Sequence, residues 1–116
     1  MIKIIDYSDI KLKIDNMLFT WDDEKEKINI KKHGINFSSA AAVFFDDDAI
    51  VETNYVDDYT GEERFDVIGL AAGHLMFVVY VERQHINEDS EDVIFRIISA
   101  RKANKREEKR YAYGIK

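Results

Sequence analysis

The segment from residue 93 to residue 111 changes its hydrophobic pattern partway along, and this change constrains the fold more than any other feature. Residues 93–99 are β-branched and apolar, which is typical of a strand. Residues 102–111 are mostly charged, with only Ala103 and Tyr111 to contact a core. A helix of that composition cannot form a core alone, so the sequence predicts a sheet against which it packs.

The start of this basic helix carries a capping signal. Asn104 is followed three residues later by Glu107, a spacing at which each side chain can accept a hydrogen bond from the other residue's backbone N–H. Seven of the sixteen residues from 96 to 111 are Lys or Arg, against two Glu. Such a cluster suits a polyanion, although a basic helix face is more often simply solvated.

The size and composition of the chain predict one compact domain. With 116 residues, 46% of them apolar, it can bury a core, whereas two domains would each be too small. We expect a single domain over residues 17–116, preceded by a leader or extra strand in residues 1–16.

The absence of Cys excludes disulfides, thiolate zinc sites and cysteine nucleophiles. No stretch has the ~18 apolar residues of a membrane helix, so we expect a soluble cytoplasmic protein.

Two helices are predicted in the first half of the chain. Asp22 or Asp23 can cap a helix over residues 24–32, and Gly34 can end it in a left-handed conformation. Asn36 or Ser38 can cap a shorter, more apolar helix over residues 39–45, which reads as buried against a sheet.

Four strands are predicted after the two helices, at residues 49–53, 64–70, 75–81 and 93–99. Gly73 lies in a four-residue connection that indicates a hairpin, and an acidic loop over residues 84–92 precedes the last strand. The sequence therefore predicts an α+β domain, with an antiparallel sheet of about four strands, two N-terminal helices and a C-terminal helix.

Acidic and basic residues are concentrated in different parts of the chain, which its net charge of −6 does not reveal. Residues 46–66 hold nine acids and one Arg, whereas residues 96–116 hold eight bases and two acids. Opposed patches are expected of a protein that meets both an acidic ligand and a basic partner, although an ordinary solvated surface is the more common explanation.

His33 is the histidine with the clearest chemical context, because it follows Lys32 at a predicted helix end. It is either a C-terminal capping residue or a general acid or base. The acidic runs at residues 46–48 and 57–58 lack the ligand spacing of a calcium loop. We therefore expect no metal and no cofactor.

Four arginines occur on or beside apolar strands, where an unpaired charge is costly. They are Arg64, Arg83, Arg96 and Arg101. A hairpin centred near Gly73 brings Arg64 opposite Val81 and near Arg83, and the next connection puts Arg96 near Tyr80, so that three guanidiniums and a phenol share one end of the sheet. Arg101 falls toward the other end, near His74 and Gly69.

These arginines either form ion pairs with neighbouring glutamates or hold phosphate. RNA carries its own nucleophile, the 2′-hydroxyl, so an enzyme that cuts it needs only a base, an acid and cations.

The spacing of several residues resembles the BrnT toxin family. The N-terminal part of the pattern consists of Phe19, Trp21, Asp22, Lys25, Asn29, Lys32, His33, Gly34, Phe37, Ala40, Val43, Phe44 and Asp46. The later part consists of Gly61, Glu62, Glu63, Arg64, Phe65, Ile68, Gly69, residues 96–101, Ala103, Glu107 and Tyr111. The resemblance covers residues 17–113. Family members usually begin close to the Phe-x-Trp-Asp motif, which makes residues 1–16 a departure.

The resemblance implies a toxin of a bacterial type II toxin-antitoxin system. It implies a small ribonuclease with a RelE-like fold that inhibits growth, and a BrnA-type antitoxin that neutralises it in a heteromeric complex and binds operator DNA. The motif residues with usable chemistry are Lys32, His33, Glu63, Arg64, Arg101 and Tyr111.

Our hypothesis from the sequence is a metal-independent endoribonuclease. Arg64 and Arg101 stabilise the phosphorane, and either His33 or Glu63 moves protons. The residues expected to hold the RNA backbone are Lys32, Arg83, Lys105 and Arg106. The alternative is a non-catalytic module that uses the same basic helix to bind a protein or DNA, which the acidic net charge favours.

Overall fold

The computed structural model describes residues 4–5, 10–85 and 92–114, and it has an α+β fold. The strands are β1 (Ile4–Ile5), β2 (Leu12–Ile14), β3 (Met17–Thr20), β4 (Ile50–Val56), β5 (Glu63–Ala71), β6 (His74–His85) and β7 (Val93–Lys102). The helices are α1 (Asp23–His33), α2 (Phe37–Ala40), which continues as a 3₁₀ helix (Ala41–Phe45), and α3 (Lys105–Gly114). The predicted acidic loop falls largely on residues 86–91, outside the described residues.

The sheet formed by the described residues is mixed and has seven strands, in the order β2-β3-β7-β6-β5-β4, with β1 beside the end of β6. The prediction of an antiparallel sheet of about four strands was therefore wrong. Parallel pairs join β3 to β7 and β1 to β6. The layout of the second N-terminal helix also differs, because its α-helical part is four residues long and the rest is 3₁₀. Parallel pairing between distant segments leaves no local signal in a sequence, unlike a hairpin.

The hairpin of β5 and β6 has the predicted register. Ala71 pairs with His74 around the turn, and Phe65 pairs with Tyr80 at the far end, so Arg64 comes beside Val81. The pairing of β6 with β7 contains a bulge that leaves Ile98 as an extra residue. Arg96 consequently pairs with Val81 instead of lying near Tyr80, and Arg101 pairs with Phe77.

One face of the sheet, which we call the helix face, packs against α2 and the 3₁₀ helix. Phe37, Val43 and Val78 are fully buried in this core, and Tyr80 stacks on Phe65 within it. Gly69 is required here, because a Cβ at this position would lie 3.0 Å from the Cβ of Val43. The phenol of Tyr80 is therefore a core group on the face opposite Arg96, and burial raises its pKa to about 12.

Helix α1 lies along the part of β7 that β3 does not cover. Asp22 caps its first turn by accepting from the Lys25 N–H, and Gly34 ends it with a positive φ of 71°, as predicted. Buried Asn29 donates to the carbonyls of Ile35 and Ala100 and accepts from the Ala100 N–H. One amide side chain thus satisfies the backbone of β7 where strand pairing ends.

Helix α3 is attached to the sheet mainly by polar contacts. The predicted capping box is present, since Glu107 accepts from the Asn104 N–H at 2.9 Å and Asn104 accepts from the Glu107 N–H at 2.8 Å. Glu107 also forms a bidentate pair with Arg101, at 2.7 and 2.8 Å. Tyr111 donates to Asp46 at 2.7 Å. Within the described residues, none of these helices is long and apolar enough to span a membrane.

Candidate active site

The sheet face opposite the helix face, here called the second face, carries a row of paired residues with two arginines. Neighbours across the strands are Tyr55 beside Arg64, Val81 beside Arg96, and Arg96 beside Thr20. The hairpin register sets Arg64 on the other side of Val81. Directly opposed residues share a face, so Arg64 and Arg96 lie on either side of Val81 with Cα atoms about 10 Å apart. Arginine side chains are long enough to reach one phosphate from two positions at that spacing.

Arg64 keeps hydrogen-bonding capacity in a partly buried setting. Its side chain is 21% exposed, and its contact with Asp57 is long, at 3.6 Å. Within the described part of the chain, its Nε is buried without a hydrogen-bond partner. A buried N–H that lacks an acceptor is costly, so an oxygen delivered by a ligand would be favoured there.

Asp57 is held as a carboxylate by its own loop. The N–H groups of Thr60 and Tyr59 donate to it and lower its pKa; burial opposes them, and the charge of Arg64 adds a smaller lowering effect. Arg64 therefore lies beside an anion that its own loop holds in place.

Arg96 reaches the same row from β7 and influences the start of α1. The pKa of Asp22 is lowered, mainly by the Lys25 N–H that it accepts and in smaller part by the charge of Arg96. Arg96 thus lies close to the junction of β3 and α1. Next to it in the row is Thr20, which is buried.

Lys32 and His33 line an open cleft where α1 meets β7. The other residues that line it are Lys25, Ile28, Asn29, Ile98 and Ser99. Ser99 pairs with Val79 and Arg96 pairs with Val81, so the two share the second face about two strand positions, or 7 Å, apart. We call the cleft and the arginine row together the basic band, and His33 lies in its cleft part.

Arg101 is engaged in the attachment of α3. It stacks over the ring of Phe77 at 4.1 Å and pairs with Glu107, whose side chain is 1% exposed. The hydrogen bonds to Glu107 raise the pKa of Arg101 further above its already high value. Arg101 pairs with Phe77, whereas Arg64 lies beside Val81, one position beyond the last pair of β5 and β6, so the two arginines are about 13 Å apart along the strands.

The remaining predicted residues are dispersed. Glu63 precedes Arg64 in β5 and pairs with Val56, so it points to the opposite face and is exposed. Lys105 and Arg106 are exposed in the first turn of α3. Arg83 belongs to β6, but its side chain lies outside the described residues.

The candidate site includes groups that the sequence hypothesis did not place in it. Lys25 and Ser99 belong to the resemblance pattern, and Arg96 was recognised as an unusual strand arginine, yet none was assigned a role. The helical spacing from Lys25 to Lys32 was a signal available in the sequence. In the described residues, no group of three His, Cys, Asp or Glu side chains converges as metal ligands.

Comparison with known families agrees with the resemblance. A family model described as the ribonuclease toxin BrnT of type II toxin-antitoxin systems matches residues 21–107. The chain belongs to the BrnT toxin family. The BrnT match runs from the end of β3 to the first turn of α3, so it contains Arg64, Arg96 and the cleft residues Lys32 and His33. No curated protein matches the chain.

Proposed function

We propose that this BrnT family member is an endoribonuclease toxin that cleaves RNA, inhibits translation and arrests growth. The observation that carries the proposal is the pair of partly buried arginines, Arg64 and Arg96, on either side of Val81. Within the described residues the Nε of Arg64 is buried without a hydrogen-bond partner, and a movement of this side chain that exposes it would supply a further donor to a phosphate oxygen. Membership of a family described as ribonuclease toxins supports RNA as the phosphate source.

The chemistry needs no nucleophile from the protein. The 2′-hydroxyl of RNA attacks its own phosphorus, the P–O5′ bond breaks, and the products carry a 2′,3′-cyclic phosphate and a 5′-hydroxyl. Arg64 and Arg96 hold the non-bridging oxygens and stabilise the charge that develops on them. Lys32 and Lys25 contact neighbouring phosphates in the cleft.

Proton transfer is assigned to His33 in this proposal. His33 borders the cleft beside β7, the strand that carries Arg96, whereas Glu63 lies on the opposite sheet face from Arg64. Arg101 acts mainly through α3, because its guanidinium is occupied by Glu107. The proposal includes no metal ion.

Cleavage of a single-stranded RNA by the purified protein in EDTA tests this assignment, with the product ends identified chemically. We expect Arg64→Ala and Arg96→Ala each to lower the cleavage rate about a hundredfold or more. Lys27→Ala removes an exposed charge from α1 that pairs with Glu24 at 3.3 Å, and this matched control should stay within about twofold of the wild-type rate. Full activity of both arginine variants would disprove the site.

The toxin is expected to act in the cytoplasm and to be neutralised by a BrnA-type antitoxin, which alone contacts operator DNA. Co-expression should give a heteromeric complex in which RNA cleavage is suppressed. Should the freed protein bind its partner but never cleave RNA, the chain is instead a non-catalytic binding module. Expression of Arg64→Ala in cells should relieve growth arrest.

A further inference from the structure

The two outer strands of the sheet differ in how they are protected. At one edge, β2 has three residues and includes Lys13. At the other edge, β4 has seven residues, IVETNYV, with neither Lys nor Pro. Short strands, lysines and prolines are the usual means by which edges avoid pairing with another chain. β2 is short and carries a lysine, whereas β4 has none of these three features.

The surface around β4 is also unusually apolar for an exposed edge. Val51 is 50% exposed, Tyr55 43% and Val56 61%, and Tyr59 in the following loop is fully exposed. The ladder with β5 is irregular between Val51 and Thr53 but regular from Thr53 to Val56. Among the described residues, no strand pairs with the outer side of β4, and the exposed side chains of Tyr55, Val56 and Tyr59 lie beside this open edge.

The charge around this edge selects among possible occupants. Asp47 and Asp48 are exposed just before β4, Asp58 is exposed in the loop after it, and Glu63 is exposed on the neighbouring strand. RNA would be repelled by these carboxylates, and so would the same edge of a second copy of this chain. A cationic segment is complementary to them.

We propose that the edge of β4, together with the loop after it, is the docking site for a basic, extended segment of a partner protein. The segment adds as a further strand through backbone hydrogen bonds, with its lysines and arginines beside the carboxylates. Tyr55 pairs with Arg64, so the added strand lies two strand positions, about 10 Å, from Arg64. A partner bound there covers one end of the arginine row.

This inference deepens the proposed function, because it names the surface through which an antitoxin blocks the RNA site. A direct test uses a labelled ten-residue peptide of alternating Lys and Val, with a Glu and Val peptide as its charge control. We expect fluorescence anisotropy to show binding of the Lys peptide only, and hydrogen exchange to slow at amides of β4. Equal binding of both peptides, or protection confined to β2 or α3, would refute the proposal.

Charge-reversal variants make the test specific to this edge. Asp48→Lys and Asp58→Lys should each weaken binding of the Lys peptide about fivefold at low salt, and Glu108→Lys on exposed α3 should leave it unchanged. Equal weakening by all three would indicate nonspecific attraction and overturn the assignment. None of the three residues belongs to the basic band, so RNA cleavage should persist in each variant. Weaker peptide binding with intact RNA cleavage in the Asp48 and Asp58 variants supports the docking site independently of the proposed function. Peptide binding by a protein that does not cleave RNA would count against the proposed function alone.

Discussion

Glu107 is the residue on which the attachment of α3 depends most. It accepts from both Arg101 and the backbone of Asn104 while its side chain is almost fully buried. A buried carboxylate is stable only with such partners, since desolvation alone would favour its protonated form. Glu107 therefore joins the end of β7 to the first turn of α3.

Replacing Glu107 with Ala should lower the free energy of unfolding by about 3 kcal/mol, because both a buried pair and a cap are lost. Urea denaturation measures this change, and Glu108→Ala on the exposed side of the same turn is the matched control.

If Arg101 acts only through Glu107, Arg101→Ala and Glu107→Ala should reduce RNA cleavage equally. A much larger loss in Arg101→Ala would instead assign Arg101 to the RNA.

Acid should destabilise the protein through two carboxylates. Burial raises the pKa of Glu107, but hydrogen bonds from Arg101 and Asn104 outweigh it, and the net pKa lies below the ordinary 4.5. Burial likewise raises the pKa of Asp46. Hydrogen bonds from the Leu70 N–H, the Tyr111 O–H and the Asp48 N–H outweigh this effect, so the net pKa of Asp46 lies below the ordinary 3.8. Both pKa values are depressed by folding, so their stabilisation is complete above the unfolded values and is lost as pH falls through the folded ones.

We therefore expect a melting temperature that is level from about pH 5.5 to 7 and falls below about pH 4.5. Circular dichroism melts across this range measure it. The acid-dependent fall should be shallower in Glu107→Gln, which cannot titrate at that position. An unchanged slope in this variant would show that Glu107 does not contribute.

Single residues show where sequence analysis succeeds. The capping box of Asn104 and Glu107 was predictable because both partners lie within one turn. The prediction that Arg96 lies next to Tyr80 was wrong by one position in the register of β6 and β7, because the sequence does not reveal the bulge at Ile98. This bulge places Arg96 beside Val81, on the sheet face opposite Tyr80.

At the level of elements, α1 depends on Asn29 for its position against β7. Its carboxamide satisfies three backbone groups, two of them in Ala100 and one in Ile35. The rest of α1 is largely charged and exposed, so little apolar packing supports it. This contact holds α1, which carries Lys32 and His33, against β7.

Asn29→Leu should lower the free energy of unfolding by about 2 to 4 kcal/mol, because buried backbone groups lose their partners. Equilibrium urea unfolding tests this, with Lys27→Ala as an exposed control on the same helix. RNA cleavage should also fall in folded Asn29→Leu, because the position of His33 relative to Arg96 is no longer fixed. Wild-type stability would contradict the anchoring role.

Elements with local signals were predicted well, and those built by distant pairing were not. The limits of α1, the two N-caps and the turn between β5 and β6 follow from nearby residues. The parallel pairing of β3 with β7 depends on how both strands meet the core, which no window of sequence contains. The candidate site could not be predicted in full for the same reason, because its row of residues crosses β3, β7, β6, β5 and β4, and the pairing of β3 with β7 is not local.

Across the whole molecule, the segregation of charge places opposite signs on different surfaces. The basic band holds Arg64, Arg96, Lys25 and Lys32, whereas the exposed carboxylates beside β4 lie at the sheet edge. The net charge of −6 therefore does not prevent binding of a polyanion to one face.

Binding of an uncleavable 2′-O-methyl RNA should weaken with salt despite the acidic net charge. Contact of the arginine pair with one phosphate, and of Lys32 and Lys25 with two others, predicts a slope of log K against log salt of about −2. Titrations at several salt concentrations measure it. Lys32→Ala should make the slope shallower by about 0.7, and Glu108→Lys should leave it unchanged. A slope near zero would exclude phosphate contacts by these cations.

The anchor of α1 has a consequence for the order in which the protein is made. Asn29 and Ala100 are 71 residues apart, so a nascent chain emerges with α1 long before the strand that holds it exists. Arg96 arrives equally late, on a strand that must insert between β3 and β6. Contacts of such long range also close slowly. The site that we propose for RNA is therefore not assembled on the ribosome until most of the chain has been translated.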